Sequence, residues 1–180
     1  MAEERSSLNE VMQYMNAYRD AYTDALLEDV REGGLLDIKD LHLSADCHIV
    51  GHAVARKSAS AAHPLTGISA EDITEGELWF AADARRDATR TIAKDIEAYL
   101  KDYEDGFVIA LDDYTDGPAR YDDIRPGSSL SNAAHKAGQS EAAHSGHSFP
   151  GLDGHVRASY EERAAENARD IVLYHLNRNV

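Results

Sequence analysis

Ser7 followed by Glu10 makes a capping box, and behind it Leu8, Val11, Met15, Tyr18, Tyr22 and Ala25 recur at alternating spacings of three and four. The box satisfies two free backbone donors at a helix start, and the spacing lays the apolar residues along one seam. The pattern predicts a helix of about 25 residues stopped by Gly33-Gly34 and occupying most of residues 1–34. Tyr14, Tyr18 and Tyr22 form a ladder along one side. Such a face can pack on its own domain or dock on another subunit, because aromatic and Met side chains suit interfaces. Met15, Tyr18 and Tyr22 are the interface candidates, and on that reading Tyr18→Asp breaks assembly while leaving the monomer helical.

Further along, a helix is expected from Asp46 to about Ala62, capped by Ser44 and ended by His63-Pro64. "GELWFAA" (76–82) has strand character and "FVIALDD" (107–113) reads as a buried strand. Between them, Ala88, Ile92, Ile96, Tyr99 and Tyr103 mark a helix stopped at Gly106. Residues 112–154 hold half of the twelve glycines and read as an extended Gly/Ser/His-rich excursion with a short helix near 131–143. A closing helix over 155–180 shows a second capping box, Ser159 with Glu162, and Tyr160, Ala164, Ala168, Ile171 and His175 on one face. No internal repeat is legible. The expectation is one α+β domain over 1–180, with long amphipathic helices packed on a small sheet.

The core of such a domain is thin. Leu, Ile, Val and Phe together make just under a fifth of the 180 residues, while the net charge is −15. A fold that buries so little depends on salt or on a partner subunit. Asp and Glu number 33 against 18 Lys and Arg, and only five of those are Lys. This resembles proteins of salt-loving archaea and their viruses, whose carboxylates repel one another until salt screens them. The same charge argues against nucleic acid as the main ligand. No segment approaches a membrane span, and "MAEERSSLNE" has no apolar signal region, so no membrane partner is expected. A lone cysteine allows no internal disulfide.

Chemical motifs are few. His48 and His52 share a helix face at a spacing usable for a metal, but Ile49 stands where a zincin has its Glu. His144 and His147, with Asp153, could hold a divalent cation from a loop that gives poor preorganisation. Asp112, Asp116, Gly117 and Asp123 match part of a calcium loop, which Tyr114 and Pro118 interrupt. Cys47 has no nucleophile signature, and there is neither a dinucleotide fingerprint nor a phosphate-binding loop. No cofactor is expected beyond a possible divalent cation.

"VARKSASAAHPLTGISAEDI" (54–73) resembles the region of tail-completion or head–tail joining proteins of tailed viruses in which a helix ends at a Pro and a Thr-Gly pair leads into a strand. Pro64, Thr66 and Gly67 carry the match over about 20 residues; the Pro-to-Thr spacing is one residue shorter, and the later strand motif is absent. The resemblance implies a non-enzymatic ring subunit at the neck of a virion, assembled in the host cytoplasm, with copies of itself and other structural proteins as partners. One rival reading is a metal-dependent hydrolytic enzyme using His48, His52 and one of His63, His144 or His147. Another is an acidic regulatory protein that covers a basic partner surface.

Stability should rise with ionic strength. The midpoint of a circular-dichroism melt is expected to increase from about 0.1 M to about 2–3 M KCl, where the Debye length falls to about 3 Å or less; an unchanged midpoint would exclude the salt-adapted reading.

Overall fold

The computed structural model describes residues 6–32, 36–37, 42–43, 45–114, 121–147, 151 and 154–178. The elements run α1 (Leu8–Arg31), β1 (Leu36–Asp37), β2 (His42–Leu43), α2 (Ala45–Ala62), α3 (Ala70–Tyr114), α4 (Tyr121–Ile124), α5 (Ser129–His144) and α6 (Gly154–Arg178). Contacts divide the chain into two compact units, Met1–Ala93 and Lys94–Val180, so α3 contributes its first half to one and its second half to the other. The first unit is built from α1, α2 and the start of α3. The second is built from the rest of α3 with α4, α5 and α6.

This is a helical protein, and the expected α+β class is wrong. The only extended pairing among the described residues is two residues long on each side, antiparallel, with Leu36 opposite Leu43 and Asp37 opposite His42. Both segments read as strands, 76–82 and 107–113, lie inside α3. Burial along α3 follows the helical period: Ala81, Ala84, Ala88, Ile92, Ile96, Tyr99, Tyr103, Phe107 and Leu111 are inside, whereas Ile109 is 57% exposed. The apolar run "FVIA" is therefore one turn seen from all sides, which a short window cannot tell from a buried strand.

Gly106 misled for a related reason. It does not stop a helix; a Cβ there would lie 2.6 Å from the Cβ of Glu141 and 3.1 Å from the carbonyl oxygen of Ala137. Glycine occupies the position because α5 passes against it. Gly138 repeats the arrangement from the α5 side, against the backbone oxygen of Tyr103 at 2.6 Å. The true start of α3 is Ser69, whose Oγ accepts from the Asp72 N–H at 3.1 Å and donates to its carboxylate at 2.7 Å. Glu71 and Asp72 in the first turn complement the helix dipole.

The first capping box forms as expected: the Glu10 N–H donates to Ser7 Oγ, and the Ser7 N–H donates to Glu10 at 2.6 Å. α1 ends with Glu32 as its cap; Gly33-Gly34, Ser44, the 115–120 part of the calcium-like loop, and Asp153 lie outside the described residues. The Gly/Ser/His-rich stretch contains α5, capped by Ser128. On α6 the buried face is Glu161, Ala164, Ala165, Ala168, Arg169 and Val172, so Ile171, placed inward from the sequence, is 39% exposed.

Gly138→Val should destabilise the fold by about 1–3 kcal/mol, the usual range for overpacking, because a backbone oxygen blocks the new side chain. Gly154→Ala meets nothing within 4 Å and should be neutral or slightly stabilising. Urea denaturation of the two variants distinguishes close helix packing from a requirement for glycine freedom.

Candidate functional site

The centre of the first unit is polar. Tyr14, Tyr18 and Tyr22 project inward from α1 at 3%, 0% and 0% exposure, and Met15 is buried beside them against Gly76. The Tyr14 hydroxyl donates to Glu77 Oε1 at 2.5 Å. Glu77, 1% exposed, also accepts from Arg56: Nε lies 3.0 Å from Oε2, and Nη2 closes the fork. The Tyr18 hydroxyl meets His52 Nδ1, and Tyr22 meets His48 Nδ1 at 3.1 Å. The rings of Tyr18 and Tyr22 stack with centroids 5.9 Å apart.

Met15, Tyr18 and Tyr22, expected at an interface, are thus core residues of their own unit. A Tyr18→Asp change would place a carboxylate in that core rather than test assembly. The spacing that predicted the ladder was right, and its partner was α2 and α3 of the same chain.

Protonation follows from burial. Tyr18 is pushed well above its ordinary value, first by burial and then by the Glu77 charge and Tyr22. His52 is held below its ordinary value by burial and by the Arg85 and Arg56 charges. Tyr18 therefore donates and neutral His52 accepts at Nδ1.

The second unit has the same constellation. The Tyr99 hydroxyl donates to Glu161 at 2.5 Å, and Tyr103 meets His135 Nδ1. Arg157 Nε donates to Glu161 at 2.8 Å and its Nη2 donates to Tyr99 at 2.7 Å, while Gln139 donates to Glu161 at 2.8 Å. Burial pushes Tyr99 up to about 12, with the bond to Glu161 adding to it. Burial alone would raise the Glu161 pKa; the bonds from Tyr99, Arg157 and Gln139 and the Arg157 charge outweigh it, and the net shift is downward.

Residue by residue the correspondence is close. Tyr14 and Tyr18 answer to Tyr99 and Tyr103, His52 to His135, Arg56 to Gln139 and Glu77 to Glu161, with offsets of 85, 83, 83 and 84 positions. Tyr22 and Leu26 answer to Phe107 and Leu111, and Ala81 and Ala84 to Ala165 and Ala168. The internal repeat that sequence reading missed is therefore present. Its signal is Tyr-x-x-x-Tyr, a His 34 or 32 residues later, and a Glu 25 or 26 residues after that. Such sparse markers lie too far apart to register without the contacts that join them.

The metal candidates are placed otherwise. His48 and His52 use Nδ1 for the tyrosine ladder. His144 Nδ1 bonds the carbonyl of Ser140 in its own helix at 2.6 Å, and His147 Nδ1 lies 2.5 Å from Asp102. Among the described residues no three His, Cys, Asp or Glu side chains gather where they could hold a metal ion. Pro64, Thr66 and Gly67 follow the end of α2 at Ala62, with Gly67 at a φ of 69°, and α3 begins three residues later at Ala70. No described helix is long and apolar enough to cross a membrane.

Comparison with known proteins finds no matching family model, no similar curated protein and no similar solved structure.

Acid should act on the two units over different ranges. Because His52 titrates lower in the fold than when unfolded, its contribution is complete above about pH 6.5 and is lost as pH falls from there through its folded value. Glu161 is also depressed, so its contribution holds above about pH 4.3 and is lost only as pH falls through its own lower value. Hydrogen exchange should show α1 and α2 loosening as pH falls below about 6.5, while α6 stays protected until the pH passes below about 4.3, and His52→Gln should remove the first phase. Glu161→Ala, which strands the Tyr99 hydroxyl and the Arg157 guanidinium, should cost on the order of 3 kcal/mol in urea denaturation, the lower end for a broken buried pair because Arg157 still reaches water.

Proposed function

We propose that this chain is a non-enzymatic structural or assembly subunit that works by association with further copies of itself. One observation carries the reading. The buried carboxylates Glu77 and Glu161 are fully engaged in holding helices together, whereas seven of the ten large apolar side chains left exposed among the described residues belong to the first unit: Leu8, Met12, Ile49, Val50, Val54, Leu78 and Trp79. A carboxylate whose oxygens are already taken by an arginine and a tyrosine hydroxyl is poorly placed for proton transfer to a substrate. Apolar side chains on so acidic a chain are better explained by contacts with another surface.

The most concrete version is a neck or tail component of a tailed virus of a salt-loving archaeon, with neighbouring virion proteins as further partners. The acidic, lysine-poor composition and the Pro64-Thr66-Gly67 turn support it; the helix that replaces the expected strand weighs against the family likeness. Small subunits of this kind gain stability on assembly by mass action.

Light scattering after gel filtration, in about 0.1 M and about 2–3 M KCl, tests the reading. A species of several times 19.8 kDa at high salt is expected; a monomer at both salts and at all concentrations overturns it.

A further inference from the structure

α2 is chemically unlike the rest of the chain. No Asp or Glu occurs between Asp46 and Glu71, in a protein with 33 of them. The inner face of α2 is occupied by His48, Gly51, His52, Ala55 and Ala59, which pack within the first unit. The outer face carries Ile49, Val50 and Val54, at 68%, 57% and 47% exposure, followed by the exposed Lys57. Val50, Val54 and Lys57 fall at i, i+4 and i+7, one side of a helix.

The start of α3 has the opposite character. Glu71, Glu75, Leu78 and Trp79 fall at i, i+4, i+7 and i+8 and are all exposed, with Leu78 at 56% and Trp79 at 67%. Here an apolar pair is preceded by carboxylates; on α2 an apolar group is followed by a lysine. Each stripe spans seven or eight residues, roughly 10–12 Å along its helix. Run antiparallel, Val50 meets Trp79 while Lys57 meets the Glu71–Glu75 end. Within one chain both faces are open to solvent, so neither covers the other.

We propose that the outer face of α2 in one copy of this chain packs antiparallel on the Leu78–Trp79 face of α3 in a second copy. The part of α2 that follows Asp46 carries no acid, so the Val50–Lys57 stripe is a place where a chain of net charge −15 can accept another without carboxylate meeting carboxylate. A two-fold axis lets the contact be made twice in a dimer, and any other rotation propagates it into a ring or filament. The proposal rests on the assembly reading above and names its surface.

Trp79 is the only tryptophan and reports the contact directly. As protein concentration is raised in about 2–3 M KCl, its emission should shift to the blue and its quenching by acrylamide should fall together with the rise in mass. Val50→Glu and Trp79→Glu should each weaken association about tenfold or more, equal to about 1.4 kcal/mol, without loss of helix signal since both side chains are exposed. Val54→Glu repeats the test at an independent position on the same face. Mixing the Val50→Glu and Trp79→Glu variants should restore a complex with blue-shifted emission, because one chain keeps a sound α3 face and the other a sound α2 face. Multimers whose Trp79 emission does not move, or a mixture that stays monomeric, overturn this surface and leave the assembly reading standing. A monomer under every condition overturns both.

Discussion

A buried carboxylate held between a tyrosine hydroxyl and an arginine is the contact on which the rest of each unit depends. Glu77 and Glu161 lie almost wholly out of water, and an unpaired charge there would not be tolerated. The tyrosine comes from one helix, the arginine from a second or from the carboxylate's own helix, and the geometry admits few registers. In the first unit, satisfying Glu77 requires Tyr14 of α1 and Arg56 of α2 to arrive together at α3. In the second, Glu161 gathers Tyr99, Gln139 and Arg157 from three helices. The arginines remain partly in water, at 56% and 41% side-chain exposure, which limits the desolvation cost of each pair.

This accounts for how a chain so poor in large aliphatic residues holds a core. Much of the interior volume is tyrosine and alanine: Tyr18, Tyr22 and Tyr103 are fully buried, and Ala55, Ala59, Ala81, Ala84 and Ala88 let helices approach closely. Each buried tyrosine brings a hydroxyl that needs a partner, and the histidines and glutamates supply it. Of the histidines that suggested a metal site, His48 and His52 are, on this account, partners of the ladder, while His144 bonds the Ser140 carbonyl and His147 meets Asp102. The same reasoning separates interior from surface. Polar side chains inside are committed to structure, whereas the outer faces of α2 and of the start of α3 leave Ile49, Val50, Val54, Leu78 and Trp79 exposed.

Helix positions were legible where local rules alone set them; α3, expected as strand, helix and strand, and α6, which begins at Gly154 rather than at the Ser159–Glu162 box, were not. Ser7 and Glu10 marked the start of α1, the 3–4 spacing of Val11, Met15, Tyr18 and Tyr22 marked its buried side, and His63-Pro64 marked the end of α2. The errors cluster where a local signal had a nonlocal cause. Gly76 and Gly106 look like helix breaks but admit Met15 and Glu141 from other helices. Ser69 and Asp72 carry a local cap signal for α3, seven residues ahead of the "GELWFAA" stretch expected as a strand.

By itself the sequence determined where α1 begins and where α2 ends, which residues of α1 line one face, and the strongly acidic composition, because caps, periodicity and charge act within a few residues or over the whole chain at once. Only the tertiary structure decided that the Tyr18 face turns inward, that His52 and His135 serve tyrosines, and that two units share one polar plan. Those outcomes depend on side chains 26 to 63 positions apart meeting at hydrogen-bond distance. No local propensity carries that information, since it is the requirement to pair a buried charge that selects the partner.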